Sequence, residues 1–160
     1  MKNLLDYLNE EEKGIFLNHL ETLKFKEDEV IIKEGTKNNS LFIIKKGLVR
    51  VQKKVEGKDM ILDDLKEGET IGEITFLEEG KSSASCIAVL NSEVYAIDRK
   101  DFDEFSIQYP FISTKILLAI ALKLKERIIK TNELLATYFN ITKNLTENEN
   151  FRRFYGFCFK

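Results

Sequence analysis

The sequence predicts a mainly β fold: an antiparallel β-barrel or jelly roll (a double-stranded β-helix) with flanking helices, followed by a long C-terminal helix. Three observations predict it. Between Glu29 and Asp98, short β-branched runs are separated by Gly, Asn, Asp and Glu clusters at even intervals, as paired antiparallel strands require. After Arg99 the apolar period lengthens from two to three or four. From Phe111 to about Phe139 there is neither Gly nor Pro, so nothing local interrupts a helix.

Taken in order, Leu4, Leu5 and Leu8, then Ile15, Phe16, Leu20 and Leu23, fall at helical spacing, and Asn9 precedes Glu10-Glu11-Glu12 as a capped start. Helices are therefore expected over 4–23. The β-roll is expected over 28–98, from strands Val30–Ile32, Leu41–Ile44, Leu48–Val55, Met60–Leu65, Ala84–Leu90 and Val94–Asp98. Thr36–Ser40 and Glu56–Asp59 supply turn chemistry between them. Asp101–Tyr109 reads as a short helix, and Pro110 suits the first turn of the long one.

On that long helix Leu117, Ala121, Leu124, Ile128, Thr131, Leu135 and Tyr138 form a near-heptad stripe, while Ile112, Ile116 and Ile120 form a neighbouring face. Two apolar faces imply two partners, one of them the barrel and the other the same helix of a second subunit. Past Phe139 the composition turns polar and then aromatic, with Phe151, Phe154, Tyr155, Phe157 and Phe159 beside Arg152 and Arg153. The expected organisation is one domain over 1–139, with helices over 100–139, and a tail over 140–160 that folds back onto the domain or a partner.

Bulk properties exclude several functions. At 160 residues with 43% apolar and 32% charged side chains, the chain holds one sizeable core, with room for a helical extension. A net charge of −2 gives no general attraction to nucleic acid or an anionic membrane. No apolar run approaches a membrane span, and Met1–Asp6 lacks the apolar core of a secretion signal, so a cytoplasmic location is expected. Cys86 and Cys158 have neither metal-like spacing nor a disulfide-framework count, and His19 has no second histidine near it. A metal-dependent jelly-roll enzyme and an iron-sulfur or haem sensor both need more ligands than these, and no enzymatic activity is expected.

The stretch that carries chemistry is Glu69–Ala88. After the turn Lys66–Glu69, Gly72 and Glu73 open a short apolar helical turn that Gly80 closes before the next strand. The first N–H groups of such a turn lack internal partners, so an anion placed there finds donors. Glu73 offers only acceptor oxygens and suits a ribose hydroxyl.

The ordered set of Glu34-Gly35, Leu41–Ile44, Gly47, Leu48–Val51, the Gly72-Glu73 cassette, the strand Ser92–Asp98 and Asp101-Phe102 resembles the cyclic nucleotide-binding domain of the catabolite activator and kinase regulatory-subunit superfamily. The resemblance runs from about Leu8 to Leu135. It implies a stand-alone regulatory or sensor module for a cAMP- or cGMP-type ligand, with no required cofactor, dimeric through Phe111–Phe139 and signalling to a protein partner. The implied ligand contacts are Gly72, Glu73, Ile74 and Thr75 in the cassette, Ser82 and Ser83 around the phosphate with Lys81 beside them, and Arg127 and Thr131 on the long helix.

Two departures accompany the resemblance. Glu79–Ala84 is one residue shorter than in the activator, and Ser82 stands where the family's phosphate-binding arginine belongs. Exchanging a charged fork for one hydroxyl is expected to weaken phosphate binding about 10- to 100-fold. Arg127-Ile128 likewise stands where the activator carries a purine-capping Thr-Ser pair, with Thr131 one turn further on. The alternative function is a protein-interaction scaffold dimer that has kept the fold and lost the ligand. With 21 residues after Phe139, a DNA-reading helix-turn-helix domain does not fit in the sequence, and no sequence-specific DNA binding is expected.

Overall fold

Helix starts lie where the sequence supplies a cap. A short 3-10 turn, Leu4–Tyr7, leads into α1 (Glu10–Leu17), where Asn9 Oδ1 accepts from the Glu12 N–H at 2.8 Å and Glu12 Oε2 accepts from the Asn9 N–H at 2.9 Å. That reciprocal pair satisfies two backbone donors at the helix start. In the same way Asp98 Oδ1 accepts from the Asp101 N–H at 2.8 Å and starts α3 (Arg99–Gln108), and Pro110 begins α4 (Pro110–Glu147). The computed structural model describes residues 2–78 and 80–147. It divides into a first compact unit, 1–120, and a second beginning at Ala121, with the boundary inside α4.

Eight strands precede α3: β1 (Glu21–Phe25), β2 (Val30–Ile32), β3 (Ser40–Lys46), β4 (Val49–Val55), β5 (Lys58–Leu65), β6 (Thr70–Ile71), β7 (Ser85–Ala88) and β8 (Ser92–Asp98), with α2 (Glu73–Leu77) between β6 and β7. They pair antiparallel in two four-stranded sheets, ordered β1-β8-β3-β6 and β2-β7-β4-β5. Phe42 of β3 pairs with both Ala96 and Ile71, and Val49 of β4 with both Ala88 and Leu65, so β3 and β4 are interior strands of their sheets. Ile32, Phe42, Ile44, Val49, Leu65, Ile71, Cys86, Val94 and Ala96 form one buried cluster.

The expected closed barrel is not formed, and the fold is mixed α/β rather than mainly β. Each sheet keeps two edges. β6 stops after two residues because Gly72, at φ +87°, turns the chain into α2; β2 has three residues and an irregular register against β7. On the far edge β5 is exposed from Lys58 to Asp64, with Asp59, Asp63 and Asp64 along it. Short and acidic edges resist further pairing, which leaves the sheets open. The helical share is also larger than expected, since α4 alone has 38 residues.

Two element boundaries move as well. Leu20 and Leu23, read as helical, lie beyond α1; Leu23 and Phe25 of β1 pack against the cluster while Thr22 and Lys24 face out, and β1 pairs with β8. Period two competes there with period 3.6, and strand pairing decides it. At the other end α4 runs through 140–147, read as the start of a polar tail, because Ile141, Thr142 and Leu145 continue the apolar spacing and no Gly or Pro intervenes. The aromatic stretch 151–159 and Cys158 lie outside the described residues.

A second core lies under the helices of the first unit. Phe16 and Phe105 stand 5.4 Å apart, Phe76 and Phe102 5.1 Å apart, and buried Ile112, Ile116 and Ile120 supply the first turns of α4. His19 packs edge-on to Phe105 at 5.0 Å and Tyr109 at 5.6 Å, with Nδ1 at 2.8 Å from the Ile15 carbonyl. It serves as a packing residue. Lys115 Nζ, 2.6 Å from Glu12 Oε1, ties α4 to α1. No described helix is long and apolar enough to cross a membrane.

Candidate ligand cradle

Gly72 makes the cradle possible. At its positive φ, a Cβ would run into the Ser40 carbonyl oxygen and lie 2.9 Å from Asn38 Nδ2, so only glycine lets β6 pass this close to the β3 strand entry before turning. The turn starts α2, whose first N–H groups are ones the helix does not itself use. Glu73 follows at once and is 2% exposed, its carboxylate accepting from the hydroxyl of buried Thr70.

Asn38 fastens this turn to the preceding loop. Its Nδ2 donates to the Ser40 carbonyl at 2.8 Å and to Thr75 Oγ1 at 3.0 Å, and Thr75 Oγ1 lies 3.2 Å from the Gly72 carbonyl. At the other end of α2, Arg99 Nη1 donates to the carbonyls of Phe76 at 3.1 Å and Leu77 at 3.2 Å, while its Nε donates to Asp103 at 2.9 Å. A cation at a helix C-terminus satisfies orphan acceptors. It also joins α2 directly to α3.

The chain segment after α2 runs beside the loop that follows β2. The Gly35 N–H donates to the Ser82 carbonyl at 2.8 Å, the Ser82 N–H donates to the Thr36 carbonyl at 2.9 Å, and Lys37 and Lys81 form an isolated bridge. This extended pairing imposes alternation. Lys81 and Ser83 are exposed, and Ser82, 8% exposed, turns inward. The Ser82 hydroxyl is buried and makes no hydrogen bond, although an orphaned buried polar group costs about 1–3 kcal/mol.

The first unit thus holds Gly72, Glu73, Ile74, Thr75, Lys81, Ser82 and Ser83. Among them Glu73, Thr75 and Ser82 are buried, and the Ile74 side chain is 59% exposed. Arg127 and Thr131 belong to the second unit, where the Thr131 hydroxyl donates to the Arg127 carbonyl at 2.8 Å. Sequence reasoning missed Thr70, Asn38 and Arg99. Asn38 carried a signal, since it stands in a turn cluster three residues after Gly35, but that cluster also reads as plain turn chemistry. Arg99 carried none, because its carbonyl partners are more than twenty residues away.

Residues 22–109 match the sequence profile of the cyclic nucleotide-binding domain family, more than half of the chain. The chain belongs to that family. The matched region contains both sheets, the Gly72 turn and Ser82, and the family is one of binding rather than catalytic domains.

Among curated proteins, the chain is 34% identical over 114 residues to cyclic GMP-binding protein C of Dictyostelium discoideum, covering 66% of this chain and 4% of that protein. It is 33% identical over 120 residues to the cAMP-activated global transcriptional regulator CRP of Escherichia coli, covering 74% and 55% respectively. The catabolite activator protein of Thermus thermophilus superposes with a TM-score of 0.71 at 26% identity, over 82% of this chain and 62% of that one. The chain therefore spans about half the length of its bacterial relative and a small fraction of the Dictyostelium one.

Proposed function

We propose that this chain is a regulatory module whose cradle takes a cyclic nucleotide of the cAMP or cGMP type and signals to a protein partner. Glu73 receives the ribose hydroxyl; the backbone from Gly72 to Thr75 and the Ser82 hydroxyl receive the phosphate, with Ser83 and Lys81 at the rim. No metal or redox cofactor is required by any of these roles.

The observation that carries this reading is the buried, unpartnered hydroxyl of Ser82, the residue to which the resemblance assigns the phosphate contact. A polar atom kept inside without a partner is a cost that a ligand removes. Since one hydroxyl replaces a charged fork, binding is expected to be about 10- to 100-fold weaker than in the Ser82→Arg variant. Calorimetric titration of both proteins with cAMP and cGMP tests it. Tight binding by the natural chain with no gain from Ser82→Arg overturns the role given to Ser82, and makes Lys81 the first residue to substitute.

The module is proposed to act as a homodimer. In the first unit the Ile112, Ile116 and Ile120 face of α4 is buried, while Leu117, Ile128, Leu135 and Tyr138 of the stripe are exposed. A second copy of the same helix covers such a stripe with matching spacing. The missing arginine favours a second reading, a dimeric interaction scaffold without ligand. Absence of any heat of binding, together with unchanged stability in Glu73→Ala, supports that alternative.

A further inference from the structure

The first unit has a second concavity, at the end of β3 away from the cradle. A cavity of about 470 Å3 lies there among the strand ends of β1, β8 and β3, and Lys24, Phe25, Lys26, Lys46, Asn91 and Glu93 are among the residues that line it. Ser40, which meets the Gly72 turn, and Lys46 are the two ends of β3, about 20 Å apart at the rise of a strand. An occupant of this cavity leaves the cradle free.

The walls are tied together. Asn91 Oδ1 accepts from the Glu27 N–H at 3.1 Å and the Ala88 carbonyl accepts from the Asp28 N–H at 2.8 Å, which fastens the loop after β1 to the turn before β8. Glu29 Oε2 accepts from the Lys26 N–H at 2.6 Å and closes that loop on itself. The turn after β3 is packed as closely: Gly47 has φ +111°, and a Cβ there would run into the Ser92 hydroxyl.

Lysine dominates this end of the sheet. Lys24, Lys26, Lys45 and Lys46 stand there against Glu29 and Glu93, on a chain whose net charge is −2. Glu93 is held between Lys45 Nζ at 3.4 Å and Lys24 Nζ at 3.6 Å, and Lys45 Nζ also lies 5.2 Å from the centre of the Tyr95 ring. Lys26 and Lys46 are exposed, and their ammonium groups have no ion-pair partner among the described residues. Glu27 and Asp28 belong to the adjoining loop but do not line the cavity. Phe25, packed against the buried cluster, supplies an apolar wall, to which the lysine stems add.

An occupant matched to these features carries carboxylates for the two free lysines and an apolar side chain for the Phe25 wall. A free polyphosphate lacks the apolar part and brings its full charge against the carboxylates of Glu29 and Glu93. We propose that this cavity docks an acidic segment of the protein partner, with one apolar side chain seated against Phe25 and flanking carboxylates paired with Lys26 and Lys46. This rests on the reading that the module signals to a protein partner, and not on which ligand fills the cradle.

Fluorescence anisotropy of a labelled peptide repeating Glu-Leu-Asp, titrated with the purified chain, tests it against peptides in which Gln and Asn replace the acids or Ser replaces Leu. The acidic peptide should bind, and more weakly as salt rises; the neutral peptide should bind about tenfold more weakly and the Ser peptide about fivefold. The double variant Lys26→Gln/Lys46→Gln should lose about fivefold in affinity with its melting temperature unchanged, because each exposed pair contributes modestly. Lys53→Gln/Lys58→Gln, an equal change of charge on the β4–β5 hairpin, should leave the affinity as it was. No binding of the acidic peptide overturns the proposal, as does an equal loss in the two double variants, or tighter binding of inorganic tripolyphosphate in competition. A Ser peptide that binds as tightly as the Leu peptide overturns the seat given to Phe25. Titrations with cyclic nucleotide are independent: their failure leaves this surface standing, and its failure leaves the cradle standing.

Discussion

Replacing Leu135 by glutamate tests the dimer on the exposed stripe. Leu117, Ala121, Leu124, Ile128, Thr131, Leu135 and Tyr138 succeed one another in steps of four and three, and Thr142 and Leu145 continue the pattern within α4. Leu135 is 67% exposed in the single chain. Covering that side chain stabilises by about 1–2 kcal/mol per copy, given roughly 1.5–3 kcal/mol for a whole leucine. In a two-fold dimer the loss occurs twice. The variant should therefore raise the dissociation constant about 30- to 1,000-fold, before adding the cost of two facing carboxylates. Light scattering across a concentration series measures this, with Glu133→Gln, on the opposite side of the helix, as the control that leaves association unchanged. A natural chain that scatters as an 18.6 kDa monomer at micromolar concentration refutes the reasoning, as does a Leu135→Glu protein that dimerises as firmly as the natural one.

Other perturbations probe the supports of the cradle. Gly72→Ala forces a side chain into positive φ and against the Ser40 carbonyl, and should lower the melting temperature by about 5–10 °C in a thermal scan. Arg99→Ala removes the donors to the Phe76 and Leu77 carbonyls and should cost about 1–2 kcal/mol in denaturant unfolding. The Lys115 ammonium, and then the Asn9 N–H, hold the Glu12 carboxyl below the usual carboxylate range. Stability from that pair is present above the ordinary carboxylate pKa and is lost as pH falls through the lowered one. Lys115→Met should therefore be less stable than the natural chain at neutral pH, and the two should converge in acid; unfolding curves at several pH values check the convergence.

Much of this architecture is legible in local chemistry. Asn9 before Glu10-Glu11-Glu12 and Pro110 each announce a helix start, and every predicted strand core lies inside an observed strand, whereas Asp98, read as a strand end, also caps α3 two residues before the expected start. What failed depends on pairing rather than on local pattern. Thr70–Ile71 is too short for a period to show, yet it pairs with Phe42 and Ile43 and fixes where Gly72 turns. Leu23 satisfied a helical period and is in a strand because β8 lies beside it. Closure of the sheets into a barrel was inferred from strand number and spacing, whereas the edges are decided by how β6 ends and by the acidic side of β5. In the cradle the alternation of Lys81 outward and Ser82 inward comes from the extended pairing with Gly35 and Thr36. The staple from Asn38 to Thr75 joins residues 37 positions apart, and nothing in either segment points to the other.

Amide hydrogen exchange, with and without saturating ligand, tests the cradle most directly. Saturating cAMP or cGMP should slow exchange in the segments holding Gly72–Phe76 and Lys81–Ser83, and Ser82→Ala should diminish the effect. Protection confined to other segments, or none with either ligand at saturating concentration, contradicts it.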